Sequence, residues 1–153
     1  MSDVRWLNDT EMAAWRSFVE AHDDLMSALE ADLTPTELTL GDYQVLVYLT
    51  EADDRQMRMC DLAEMLQLSP SGLTRRLDGL VKAGWVERRN SEVDRRVMLA
   101  ALTDAGRAQL AAAAPTHVAS VRARMIDVLD TDDLDAVARA FRKIRAALDA
   151  ECA

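Results

Sequence analysis

Residues 69–83 combine apolar and polar side chains in the spacing expected of a helix that binds a nucleic acid with one face. Leu73, Leu77 and Leu80 recur at intervals of three and four, which is the pattern of a buried helical face. Most of the polar and basic side chains of this predicted helix lie on the opposite face. The candidate DNA contacts among them are Ser69, Pro70, Ser71, Thr74, Arg75, Arg76 and Lys82.

The chemistry of this polar face suits contact with the major groove of DNA. Arg75 can donate two hydrogen bonds to the O6 and N7 atoms of a guanine, while Ser71 and Thr74 can bind phosphates or bases. Asp78 either orients Arg75 or pairs with Lys82, and the spacing allows both arrangements. An ordinary solvated face is the alternative interpretation of this helix taken alone, and the segment that follows favours DNA binding.

The spacing then changes to that of strands. Segments 85–89 and 97–102 are strand-like and are joined by the polar loop 90–96, so a β-hairpin is predicted directly after the helix. We call residues 85–102 the wing. We expect one of its two tip arginines to enter a narrow minor groove and the other to pair with Asp94, although a solvated loop is the alternative. The candidate DNA contacts in the wing are Arg88, Asp94, Arg95 and Arg96.

Charge is unevenly distributed along the chain. The formal net charge is -9, which by itself argues against a nucleic-acid partner because phosphates attract Lys and Arg. Residues 69–96, however, contain seven Lys and Arg residues and only four Asp and Glu residues. The sequence therefore predicts a locally basic DNA-binding segment on an acidic protein.

The elements that position these residues form a predicted helix-turn-helix. A first short helix is expected over 57–68, with a short edge strand at 56–58, and the recognition helix over 69–83. Ser69 caps the recognition helix, Pro70 fits its first turn and Gly84 ends it. A preceding helix begins at a capping pair of Thr39 and Asp42. We call residues 39–102 the reader.

Helices flank the reader on both sides. The first is capped by Asn8 with Glu11 and carries an apolar stripe too long for a small domain to bury alone. After the wing, Thr103 caps an Ala-rich helix that Pro115 is expected to kink or divide, and Thr131 caps the last helix, whose apolar residues have heptad spacing. The sequence therefore predicts apolar helical regions over 6–34 and 104–150 that need partner helices, in one domain spanning 1–153.

Composition excludes several classes of protein. No apolar run is long enough to cross a membrane and no signal segment is evident, so a cytoplasmic protein is expected. The two cysteines form no metal-binding or disulfide pattern, and no metal or cofactor is expected. No nucleophile, phosphate-loop or dinucleotide motif occurs, so no catalytic residue is assigned and an enzyme is not expected.

The order of elements, with the segment LAEMLQLSPSGLTRRLDGLVKAGWVERR, the wing run Asp94-Arg95-Arg96 and LTDAGR at 102–107, resembles the MarR family of winged helix-turn-helix regulators. This resemblance implies a mainly α-helical homodimer, with residues 6–34 and 104–150 as its dimerisation helices. It also implies that the dimer binds a pseudo-palindromic DNA operator, usually as a repressor. It also implies release by a small aromatic or phenolic effector or by oxidation. Five residues either line an effector pocket or fill the core: Trp15, His22, Met26, Tyr43 and Val47.

Two positions depart from the family pattern. Gly79 stands where many relatives carry a basic or long polar residue, which removes a possible phosphate contact. Cys60 stands where relatives usually have a Ser or Thr helix cap, and it is either a structural residue or an oxidation-sensitive thiol. The competing function is a winged-helix interaction protein that has lost DNA binding, a hypothesis motivated by the net acidity.

Overall fold

The computed structural model describes residues 4–151, with side chains as far as residue 150. In chain order the elements are α1 (Asp9–Leu33), α2 (Leu40–Glu51), β1 (Gln56–Arg58), α3 (Met59–Met65), α4 (Pro70–Lys82), β2 (Val86–Asn90), β3 (Met98–Leu102), α5 (Asp104–Val121) and α6 (Thr131–Glu151). A π-helical turn, Arg122–Ile126, follows α5. The predicted fold class, mainly helical with a β-hairpin wing, is confirmed.

Residues Ser27–His117 form one compact unit that contains the reader. Its three antiparallel strands lie in the order β1-β3-β2, with Val86 opposite Leu102 and Asn90 opposite Met98. Gln56 of β1 lies opposite Ala101 on the other side of β3. The central strand therefore joins the start of the helix-turn-helix to the wing.

The core of this unit is built from the leucine faces of its helices. Leu73, Leu77 and Leu80 of α4 are no more than 2% exposed, as expected from their spacing. They belong to the same buried cluster as Leu46 and Leu62, from α2 and α3. Burying this face of α4 leaves its opposite side facing solvent, which is the side that carries the candidate DNA contacts.

Local caps begin the helices that position the reader. At α2 the Thr39 hydroxyl accepts the N–H of Asp42 at 3.0 Å and the Asp42 carboxylate accepts the N–H of Thr39, which confirms the predicted capping pair. Thr103 caps α5 by accepting the N–H of Gly106 at 3.0 Å, also as predicted. Gly84 has a φ of 77°, the left-handed conformation expected after α4.

The predicted first helix of the helix-turn-helix, 57–68, is too long. Met57 and Arg58 belong to β1 and pair with β3, so the helix begins at Met59. Its end comes early because Gln67 has a left-handed φ of 52°, which a continuing helix does not allow.

Two expectations for the C-terminal helices are also corrected. Pro115 does not divide α5, which continues to Val121, and the alternative expectation of a kink at Pro115 stays a prediction. The carbonyl of Ala111 loses its intrahelical donor at Pro115, but both residues are exposed and water can satisfy it. At α6 the cap is Asp130 rather than Thr131, because the Asp130 carboxylate accepts the N–H of Asp133 at 2.8 Å.

The second compact unit contains the described residues up to Met26 and those from Val118 onward. The cap of α1 is as predicted, since the Asn8 side chain accepts the N–H of Glu11 at 2.9 Å. Phe18 of α1 packs against Phe141 of α6, with ring centroids 5.5 Å apart. Several large apolar side chains of this unit remain exposed, among them Trp15, Ile144 and Leu148.

Candidate nucleic-acid interface

The recognition helix α4 begins at a well-formed cap. The Ser69 hydroxyl accepts the N–H of Gly72 at 3.1 Å, and Pro70 occupies the first helical position, where its missing N–H costs no hydrogen bond. Ser71 contacts the Ser69 hydroxyl at 3.2 Å. These contacts fix the end of the helix from which the polar face projects.

The polar face of α4 points away from the core. At 100° per residue, Ser71, Thr74, Arg75 and Asp78 lie on the side opposite the buried leucines, and all four are exposed. The Thr74 hydroxyl donates to the Pro70 carbonyl at 2.9 Å. Among the described residues, none forms a hydrogen bond or ion pair with the Arg75 guanidinium. Arg75 is therefore available to a ligand outside the unit.

Asp78 takes neither of its two predicted partners. Its carboxylate accepts a hydrogen bond from Arg88 of β2 at 2.8 Å, and the same Arg88 nitrogen donates to the Thr74 carbonyl at 2.8 Å. Arg88 was expected to contact DNA, but here its side chain, 28% exposed, joins the wing to α4. The partner of Asp78 comes from a strand rather than from its own helix.

Arg76 is directed inward to the start of α2, unlike its neighbour Arg75. Its guanidinium lies 3.6 Å from the Asp42 carboxylate and 3.4 Å from the Thr39 hydroxyl. The approach is close enough that a Cβ on Gly41 would lie 1.8 Å from the guanidinium. Arg76 therefore joins α4 to α2, and Gly41 leaves the space that this contact requires.

The tip of the wing is held by local hydrogen bonds. The N–H of Ser91 donates to the Val97 carbonyl at 2.9 Å, and the Asn90 side chain donates to the Arg95 carbonyl at 2.7 Å. Asp94 was expected to pair with one of the two tip arginine side chains, but its carboxylate accepts the backbone N–H of Arg96 at 2.9 Å. Asp94 thus orders the loop without using either guanidinium.

Four cations of residues 69–96 are left without a partner among the residues that the structure describes. They are Arg75, Lys82, Arg95 and Arg96. In contrast, Arg89 donates to the Gln56 side chain at 3.1 Å.

A groove of about 550 Å³ lies beside Arg75 and Arg76, between α4 and the start of α2, and Gly72 and Gly79 help to line it.

Known proteins are similar to this chain in both fold and sequence. A sequence model of the MarR family matches residues 31–97. The crystal structure of AbsC, a MarR family transcriptional regulator from Streptomyces coelicolor, is 41% identical, with a TM-score of 0.91 over 96% of this chain and 99% of AbsC. Sco3205, a MarR family regulator of the same organism crystallised in complex with DNA, is 32% identical, with a TM-score of 0.90 over 97% of this chain and 93% of its own.

The chain belongs to the MarR family.

A repressor from another bacterium is similar over a shorter stretch. YetL, an HTH-type transcriptional repressor of Bacillus subtilis, is 30% identical over 95 residues. The aligned segment spans 62% of this chain and 57% of YetL.

Position 60 is not the cap of α3, although Ser or Thr caps were expected at this position in MarR relatives. The residue before α3 is Arg58, and Cys60 lies in the first turn, exposed, with its thiol donating to the Asp61 carboxylate at 3.3 Å. The hydrogen bond from Arg58, followed by that from Cys60, lowers the pKa of Asp61. Oxidation sensing by Cys60 stays a prediction.

The five candidate effector residues are divided between the two units of this MarR-family chain. Trp15, His22 and Met26 belong to one unit, and Tyr43 and Val47 to the other. Trp15 and His22 are exposed, whereas Tyr43 is buried. Their grouping into a pocket stays a prediction.

Sequence reasoning missed the environment of His117. Its ring packs on Tyr43 with centroids 4.4 Å apart, and its Nδ1 atom is buried without a hydrogen-bond partner among the described residues. Burial lowers the pKa of His117 and raises that of Tyr43. The proximity of α5 to α2 is not encoded locally, so a lone histidine beside a proline gave no signal.

Within residues 4–151, no helix is both long and apolar enough to span a membrane. Within the same described residues, no group of three or more His, Cys, Asp or Glu side chains is arranged to hold a metal ion.

Proposed function

We propose that this protein is a sequence-specific transcription regulator that binds double-stranded DNA as a homodimer in the cytoplasm. The observation that carries the proposal is the placement of unpartnered cations on two adjacent elements: Arg75 on the exposed face of α4, and Arg95 and Arg96 at the ordered tip of the wing. The DNA complex of Sco3205 supports the same type of ligand. Repression is the proposed direction, because YetL is a repressor.

In this proposal α4 occupies the major groove and the wing tip lies over the adjacent minor groove. Arg75 donates its paired hydrogen bonds to a guanine, with Ser71 and Thr74 at neighbouring bases or phosphates. Arg95 or Arg96 enters the minor groove, where the negative potential is concentrated when that groove is narrow. Lys82 adds a phosphate contact and contributes to salt-dependent affinity.

The proposed dimer is supported by the exposed apolar surface of the second unit. Ile144 and Leu148 of α6 are 54% and 58% exposed, and they continue the heptad pattern of that helix. Burying such residues against a second copy removes apolar surface from water. Two readers related by twofold symmetry would then contact half-sites about one helical turn apart.

Selection of DNA fragments tests the proposal. The full chain is incubated with a random duplex library, bound fragments are sequenced, and affinity for the selected duplex is measured by fluorescence anisotropy over a range of salt concentrations. We expect a pseudo-palindromic motif and an affinity that falls steeply with salt. A dimer that enriches no motif and binds no duplex even at low salt would instead indicate the interaction protein that the net charge of -9 suggests.

Regulation by a small aromatic or phenolic effector is a second part of the proposal. Trp15, His22, Met26, Tyr43 and Val47 supply aromatic, apolar and hydrogen-bonding side chains suited to such a molecule. A panel of aromatic acids titrated into the complex with the selected duplex measures release directly. An effector that uses these residues is expected to release wild-type protein but not a Trp15→Ala variant, whereas equal release of both would contradict this assignment.

A further inference from the structure

Arg88 and Asp78 join the two DNA-binding elements to each other. Arg88 lies on β2, the first strand of the wing, and Asp78 lies on the exposed side of α4. A single guanidinium nitrogen of Arg88 donates to the Asp78 carboxylate and to the Thr74 carbonyl, both at 2.8 Å. The contact therefore involves the helix backbone as well as a side chain.

Both attachment points lie on the polar face of α4, one helical turn apart. The Thr74 carbonyl already accepts the N–H of Asp78 within the helix, and its second lone pair accepts Arg88. Arg75 lies between these two positions and is exposed. The contact thus fixes the wing strand to the part of the helix from which Arg75 projects.

We propose that Asp78 and Arg88 are positioning residues that fix the wing relative to the recognition helix, so that Arg75 and the tip arginines engage DNA together. This inference rests on the proposed DNA-binding function. The wing loop and α4 are each ordered by their own hydrogen bonds, namely Asp94 to the Arg96 N–H and Ser69 to the Gly72 N–H. The Arg88 contact acts between these two ordered parts.

Replacing Asp78 separates this role from direct DNA contact by Arg88. By charge alone, Asp78→Asn removes an anion from a DNA-binding surface and should strengthen binding. If Asp78 positions the wing, the same substitution should instead weaken binding, because the carboxylate that holds Arg88 is lost. Glu92→Gln is the matched control, since Glu92 is an exposed carboxylate of the wing loop.

The experiment measures affinity by fluorescence anisotropy for the duplex selected by wild-type protein and for a scrambled duplex. We expect Asp78→Asn to bind the selected duplex about 3- to 30-fold more weakly, with no loss on the scrambled duplex, and Glu92→Gln to lose nothing. Arg88→Gln and the double variant Asp78→Asn/Arg88→Gln should be about as weak as Asp78→Asn, because all three remove the pairing of the Arg88 guanidinium with the Asp78 carboxylate.

A second comparison measures the coupling itself. Replacing Arg95 and Arg96 together by Ala should cost less affinity in the Asp78→Asn protein than in wild type, because the wing no longer engages in register with α4. Thermal unfolding of each variant ensures that affinities are compared at a temperature where all are folded.

Three outcomes would overturn the inference. Asp78→Asn could bind the selected duplex as tightly as wild type, the losses from Asp78→Asn and Arg88→Gln could add, or the tip substitutions could cost the same in both backgrounds. Any of these with wild-type sequence preference intact would leave the proposed function standing. Wild-type protein with no sequence preference would refute both.

Discussion

At the scale of single residues, the adjacent arginines Arg75 and Arg76 make different contacts. Arg75 is exposed and pairs with no described residue, whereas Arg76 contacts the Asp42 carboxylate of α2. Spacing along α4 identified the polar face correctly. It could not identify which cations are already paired, because the partners of Arg76 and Arg88 come from elements distant in the sequence.

Arg75 should carry most of the base discrimination of α4. Arg75→Ala is expected to cost about 1 to 3 kcal/mol of binding free energy on the selected duplex and to relax base preference. Arg75→Lys is the matched control, because it keeps the charge but not the paired donors. We expect it to retain binding to scrambled duplex while losing discrimination, as measured by anisotropy with both duplexes. Full discrimination by the Lys variant would argue against a paired contact with guanine.

His117 should make folding stability depend on pH. Its pKa in the folded protein is lowered from the usual 6.5 by burial, so the unfolded chain binds a proton more readily. The neutral ring therefore contributes fully to the free energy of unfolding above pH 6.5, and this contribution is lost as the pH falls from 6.5 toward the lowered pKa of the folded protein. Urea unfolding at pH 7.5 and 5.5 should show a smaller pH effect in His117→Phe, which retains a ring against Tyr43. An equal pH effect in both proteins would contradict this role.

At the scale of elements, prediction succeeded where the determining contacts are local. The caps at Asn8, Thr39 and Thr103 are each set by residues three positions apart, and the sequence contains both partners. The predicted edge strand 56–58 is confirmed as β1, but the start of α3 was placed two residues early, because the boundary between strand and helix is set by pairing with β3, a contact distant in sequence. Packing of His117 on Tyr43 was missed for the same reason.

Replacing each of two helical glycines by alanine should change the stability of the fold in opposite directions. A Cβ on Gly79 of α4 meets nothing within 4 Å, so Gly79→Ala should stabilise the fold by up to about 1 kcal/mol. A Cβ on Gly106 of α5 would lie 2.1 Å from the Trp85 carbonyl, so Gly106→Ala should destabilise by about 2 kcal/mol or more. Urea unfolding measures both, and loss of stability in Gly79→Ala would show that this position requires glycine.

At the scale of the whole molecule, an acidic protein carries a basic DNA-binding segment. The net charge of -9 disfavours unspecific attraction to DNA. In the proposed function, binding therefore depends on Arg75, Lys82, Arg95 and Arg96 and on two copies acting together. The sequence predicted the family and the fold over nearly the whole chain. The predicted dimer contact and the predicted effector site stay predictions, because both depend on surfaces formed by folded elements.

The dimer should depend on the heptad face of α6. Ile144→Asp places a charge on this exposed apolar face and is expected to produce monomers, as measured by light scattering after size exclusion. Ala146→Asp is the matched control, since position 146 lies on the opposite side of the helix. Affinity for a two-half-site duplex should fall about 100-fold or more in the first variant and little in the second. A dimeric Ile144→Asp protein would place the dimer contact elsewhere.

The most direct test of the account is the ratio of wild-type affinities for the selected duplex and for a scrambled duplex of equal length and composition, measured at one physiological salt concentration. We expect the selected duplex to bind at least about 1,000-fold more tightly. Equal affinity for the two duplexes, or no binding to either, would contradict the claim that α4 and the wing read DNA sequence.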